Sequence, residues 1–161
     1  MVEYNDIFLE ELVRSGLVEE SQALELMDER ERSGKPVRVL AQELGLITEE
    51  QGLDLIARVQ GAERVDLEHM SVPVETLQAV PGSVARMYSI MPVEADAHSV
   101  TVAAADIISP ETLDEIRFVL SKDVLIAVAS ESAITNAITR YYGTEDESMK
   151  DMLSSLESEL E

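Results

Sequence analysis

The chain has 161 residues, 45% of them apolar, and 33 acidic against 12 basic side chains give it a formal net charge of −21. That suffices for a core, but with 4% aromatics and no tryptophan the core must be aliphatic. The charge repels polyanions, which argues against DNA, RNA or an anionic bilayer as partner, and the lack of cysteine removes disulfides, thiolate catalysis and cysteine-based zinc sites. No apolar run approaches the roughly 20 residues of a membrane span, and the stretch from Met1 to Asp6 does not read as a signal peptide. A cytoplasmic location is expected.

Residues 1–61 read as helices. Asn5 or Asp6 can cap a first helix through Leu9, Leu12 and Val13 that breaks near Ser15-Gly16; a second runs from about Glu19 to Arg32 and ends at Ser33-Gly34. Pro36 opens a third through Val37, Leu40, Ala41 and Leu44, stopping at Gly45. Thr48 and Gln51 form a capping box for the fourth, which carries Leu53, Ile56 and Val59 to Gly61. The segment Gly16 to Leu26 aligns without a gap on Gly45 to Leu55, so the physical unit is a helical hairpin repeated once. The first hairpin brings Phe8, Leu9, Leu12, Val13 and Leu17 close together, more apolar surface than a small helical unit readily buries. These five are therefore the expected partner-binding residues; the alternative is that they close the centre of four short helices.

From Ala62 the pattern changes. Arg64 to Leu67 reads as a short strand, Pro73 to Val80 as a helical segment, and Gly82 to Met87 as a second one capped by Ser83; Tyr88 to Val93 extends into a strand that Pro92 places at an edge or an end. His98 to Ala105 is β-branched and then small, as in a buried strand. Ser109 caps a helix whose first turn holds Pro110 and Glu111, with Leu113, Ile116 and Leu120 inward, Phe118 at the margin, and Asp114, Glu115 and Arg117 in water. Asp123 to Ala129 is a second strand, which makes a βαβ crossover with parallel strands. A last helix from Ser130 or Ser132 carries Ile134, Ala137 and Ile138 inward and stops at Tyr141-Tyr142-Gly143. The expected fold is α/β (α+β): a helical subdomain of two hairpins over 1–61, then a small sheet with a βαβ core and flanking helices over 62–143. Residues 144–161 read as an acidic tail or linker in which Met149, Met152, Leu153, Leu156 and Leu160 share one stripe.

Chemistry is not legible. Gly34-Lys35 is followed by Pro36 and forms no phosphate loop, no G-x-S-x-G turn occurs, and Glu19-Glu20 and Glu49-Glu50 sit in first helical turns, where the helix dipole explains them. His69 and His98 stand alone as turn or surface histidines. No catalytic, cofactor-binding or metal-binding residue is assigned.

One ordered set of elements remains: Val65-Asp66-Leu67, Val80-Pro81, Ala85-Arg86, Met91-Pro92-Val93, Val100 to Ala103, Leu113 to Phe118, and Ile134 to Tyr142. Over about residues 10–143 it resembles the N-terminal domain of type II secretion and type IV pilus assembly ATPases. The resemblance implies an α/β domain behind a helical subdomain, without ATPase activity, that joins the motor to the cytoplasmic domain of an inner-membrane platform protein and so sits peripheral to that membrane through its partner. The family commonly has Asp-Pro after the central strand, where this chain reads Asp106-Ile107-Ile108-Ser109-Pro110. Some members bind cyclic-di-GMP through two Arg-Leu-Gly-headed helical motifs, whose aligned heads here are Ile7-Phe8-Leu9 and Pro36-Val37-Arg38. A small-molecule ligand is accordingly not expected; the competing readings are a nucleotide-sensing domain and a stand-alone regulatory scaffold.

Overall fold

The computed structural model describes residues 6–143. Both Asn5 as a cap and the stripe in the tail fall outside them. The described residues form eight α-helices and a four-stranded mixed sheet.

The first four helices are α1 (Ile7–Arg14), α2 (Glu20–Ser33), α3 (Val37–Glu43) and α4 (Glu49–Gln60). Asp6 caps α1, its Oδ1 accepting from the amides of Phe8 and Leu9. The repeat is reproduced bond for bond: Leu17 and Val18 donate to the Leu12 carbonyl as Leu46 and Ile47 donate to that of Ala41. Each of these turns passes through a left-handed glycine, Gly16 at φ 78° and Gly45 at φ 73°, where a side chain would be strained. Gln22 accepts from the Glu19 amide just as Gln51 accepts from that of Thr48, so both second helices start on the same reciprocal device.

The second unit holds β1 (Glu63–Arg64), α5 (Val74–Gln78), α6 (Gly82–Tyr88), β2 (Met91–Ala95), β3 (Ser99–Ala104), α7 (Pro110–Leu120), β4 (Asp123–Val128) and α8 (Glu131–Tyr142). Strand order is β1-β4-β3-β2; β3 and β4 run parallel, as the crossover requires, and β2 is antiparallel at one edge. Pro92 thus lies on an edge strand, beside an irregularity between Pro92 and Glu94.

Three local expectations are corrected. The strand foreseen over Arg64 to Leu67 is only Glu63–Arg64, because Leu67 turns inward on a single 3₁₀ turn and is buried. Ser83 does not cap α6, which starts at Gly82 behind Pro81 and runs on through Tyr88, so β2 begins only at Met91. Phe118, expected at the margin of the buried stripe, is 85% exposed.

Two aliphatic cores result, one inside the four helices and one between the sheet and its helices. The sheet meets the helical core at Val128 of β4, which is fully buried there, with Ile107 packed against the same core. The C-terminal tyrosines lock the second core: the Tyr142 hydroxyl donates to the Val80 carbonyl at 2.8 Å, and Tyr141 Oη accepts from the Val72 amide at 3.2 Å. Burial pushes the Tyr142 phenol up to about 12 from an ordinary value near 10. Between these values the unfolded chain ionises while the folded one holds its proton, so stability falls as pH rises. Urea midpoints measured from pH 9 to pH 12 should drop for the native sequence and drop less for Tyr142→Phe. Equal slopes would show that this phenol does not carry the effect.

Candidate functional site

The five residues expected at a docking surface are not assembled into one. Phe8, Leu9 and Leu12 are 3%, 0% and 0% exposed and pack with Leu26, Leu55 and Ile56; Val13 and Leu17 are half-buried against the same core. The expected surplus of apolar surface is thus absent, because the second hairpin supplies the area that covers it. What the first hairpin leaves in water is Ile7, 57% exposed, and Leu24, 47% exposed.

Instead, the described residues form a cleft between the two units. Val37, Leu40 and Ala41 are buried and fix α3, and Arg38, near its start, reaches across to the α/β unit. Arg38 Nε lies 3.4 Å from Asp106 Oδ2 in the loop after β3, and its Nη1 lies 3.5 Å from Glu131 Oε2 at the start of α8. Only 13% of the Arg38 side chain is exposed, and Nε, though within ion-pair distance of Asp106, lacks the alignment of a hydrogen bond. The carboxylates are 47% and 68% exposed, so each pair contributes at most about 1 kcal/mol.

The loop from Asp106 to Ser109 is held at several points. Asp106 Oδ1 accepts from the Ile107 amide, the Ile108 amide donates to Gln60 Oε1 at 3.1 Å, and Ser109 caps α7 by accepting from Thr112. Ser130 caps α8 in the same way through Ala133. Two helix starts and the carboxyl end of β3 therefore converge on one recess of about 430 Å³, lined by Arg38, Tyr88, Asp106, Ser109, Thr112 and Glu131 among others. Open α/β sheets characteristically receive ligands at the carboxyl ends of their strands. Here, however, the single guanidinium is already faced by two carboxylates, so an incoming anion must displace one. The arrangement can tie or recognise; it offers no nucleophile with its base.

Arg64 ties β1 to α4 by contacting Glu50 Oε2 at 2.6 Å and Asp54 Oδ1 at 3.0 Å; its hydrogen bond holds the Glu50 carboxyl below the usual carboxylate range. His69 is exposed and paired with Asp66, and His98 sits in the exposed turn before β3. Among the described residues no group of histidine, aspartate and glutamate is placed to hold a metal ion, and no helix is long and apolar enough to cross a membrane. Sequence reasoning missed the Arg38 contact because its partners lie far along the chain. One signal was available: the Ile107-Ile108 pair that departs from the family's Asp-Pro is the piece that seats Ile107 in the helical core and Asp106 on Arg38.

Comparison with known proteins agrees with this architecture. The MshEN domain model matches residues 60–148, more than half of the chain. A type IV pilus assembly ATPase, PilB of Myxococcus xanthus (strain DK1622), is 26% identical over 150 residues, which cover 93% of this chain and 26% of that protein, so the chain spans about a quarter of its relative's length. Among solved structures, MshE with cdg superposes with a TM-score of 0.77 at 19% identity over 86% of this chain and 100% of that one. The N-terminal domain of XpsE gives 0.67 at 22% identity over 88% and 100%. Both structural matches take in the helical unit as well as the sheet, and the chain belongs to the MshEN domain family, the N-terminal domain of secretion and pilus assembly ATPases.

Proposed function

We propose that this domain is a non-catalytic interaction module of a type II secretion or type IV pilus assembly motor, docking the ATPase to the cytoplasmic domain of an inner-membrane platform protein. The observation that carries this reading is the kinship with the N-terminal part of such ATPases along nearly the whole chain. A net charge of −21 adds long-range attraction for a basic partner surface, which speeds encounter more than it adds affinity. The first hairpin remains the proposed docking face, now through Ile7 and Leu24 rather than the buried Phe8, Leu9 and Leu12. Removing the hairpins to test this would expose Val128 and Ile107, so surface variants are the sound probe. Ile7→Glu with Leu24→Glu should leave the urea midpoint unchanged and weaken complex formation with the platform domain at least tenfold, measured by size-exclusion chromatography with light scattering. Undiminished binding would move the docking face elsewhere.

A second reading, a nucleotide-sensing domain, has one observation in its favour: the likeness to MshE solved with cdg, combined with an arginine in a cleft at the carboxyl end of β3. Against it, Phe8 and Leu9 of the first motif head are buried in the helical core, and Arg38 of the second is engaged by Asp106 and Glu131. Cyclic-di-GMP should therefore bind weakly or not at all; a micromolar isotherm by titration calorimetry would put this reading first.

A further inference from the structure

The two edges of the sheet are guarded differently. At β2 the free edge carries Pro92 and the irregularity that follows it, and both discourage pairing. At the other side β1 covers β4 only opposite Ala127 and Val128, so among the described residues no strand pairs with the outer side of Asp123 to Ile126. The Val65 amide donates to the Val128 carbonyl, so the main-chain groups of Val128 point outward, and by the two-residue alternation of a strand so do those of Ile126 and Val124. At Val124 side chains stand in for the missing strand. The Asp123 carboxylate accepts from the Val124 amide at 3.0 Å, and Arg117 of α7 donates to its carbonyl at 3.5 Å. Arg117 Nε, 3.3 Å from Asp123 Oδ1, makes no hydrogen bond, and the side chain is 41% exposed. It is a loosely held cover.

Beside this edge lies a recess of about 560 Å³ bordered by the turn from Gln60 to Glu63, Leu113 of α7 and the edge itself. Glu94, Thr101 and Leu125 are register neighbours across three strands on its floor, and Leu125 is 52% exposed. The charged side chains lining it are Glu63 and Glu94, both exposed. With −21 on each chain, a second copy is repelled.

We propose that the edge of β4 at Asp123–Ile126 receives an extended, lysine- or arginine-bearing segment of a partner protein, which adds as a short strand and displaces Arg117 from the Val124 carbonyl. Main-chain bonds supply affinity in this mode, and the alternate side chains on the recess side are the basic ones, whose methylene stems cross Leu125 while their charges are drawn to Glu63 and Glu94 on the same face. Four residues at about 3.3 Å each span about 13 Å of edge, which sets the length recognised. The proposal is independent of which face the platform domain uses.

The test uses the full chain and a fluorescent peptide of sequence Lys-Val-Lys-Val-Lys-Val, with an analogue methylated on alternate backbone nitrogens that keeps the charge and cannot pair. The parent peptide should bind at least tenfold tighter than the analogue and should slow amide exchange at Val124 and Ile126. Glu63→Lys with Glu94→Lys should weaken it about tenfold, whereas Glu20→Lys with Glu25→Lys, exposed positions on α2 that change the net charge equally, should change it less than twofold. Equal affinity for the two peptides, unchanged exchange at the edge, or equal loss in both charge variants would each overturn the proposal, reducing the effect to attraction by an acidic surface.

Discussion

Leu12→Ala is expected to destabilise the protein by about 3 kcal/mol, since deleting a fully buried leucine loses its transfer energy and leaves a cavity that short, closely packed helices close only in part. Leu12 also accepts three bonds at the hairpin turn through its carbonyl, from the amides of Leu17 and Val18 and the Ser15 hydroxyl, so a shift of α1 disturbs the turn that starts α2. Ile7→Ala, one turn earlier but 57% exposed, should change stability by no more than about 0.5 kcal/mol. Urea denaturation of the two variants separates the core role from the surface role. If Leu12→Ala leaves the midpoint unchanged, α1 does not pack as described and its apolar face is again open for a partner.

Val128→Asp should be more damaging, on the order of 4 kcal/mol, because the carboxyl enters a fully buried site in the helical core, where its register neighbour Arg64 is already paired with Glu50 and Asp54, and must either stay charged without solvent or take up a proton. Its effect should extend beyond the sheet. As Val128 packs into the helical core, loss of α4 contact should raise amide exchange in α1 and α4 as well as in β4. The decisive comparison is Leu125→Asp, on the same strand but 52% exposed, which should cost about 1 kcal/mol or less. If exchange in Val128→Asp rises only within the sheet, the two units are not coupled through this residue, and the cleft at Arg38 has no rigid frame.

Local rules reached far along this chain. Caps at Asp6, Thr48, Ser109 and Ser130 and the left-handed glycines at helix ends are decided by neighbours within four residues, so the helical elements and the duplicated hairpin could be read directly from sequence. The parallel βαβ unit followed too, since a strand, a short helix and a second strand have essentially one way to close. Where periodicity failed, a competing tertiary demand explains it. Leu67 left the expected strand to bury its side chain, and Phe118 is left in water because no described element packs over the end of α7.

What the amino-acid order determined by itself was therefore the elements, their caps, the acidic surface and the absence of familiar catalytic motifs, because each depends on spacing or on summed composition. The tertiary structure alone decided which apolar residues are spare. Phe8, Leu9 and Leu12 look like a surplus until the second hairpin is placed over them, and burial is a property of the assembled surface rather than of any one helix. It alone also decided the candidate site, for Arg38 meets Asp106 and Glu131, and Arg117 covers Val124, only after the chain has folded back on itself. Contacts of that kind have no period, and the partners of Arg38 also lie beyond any sequence window.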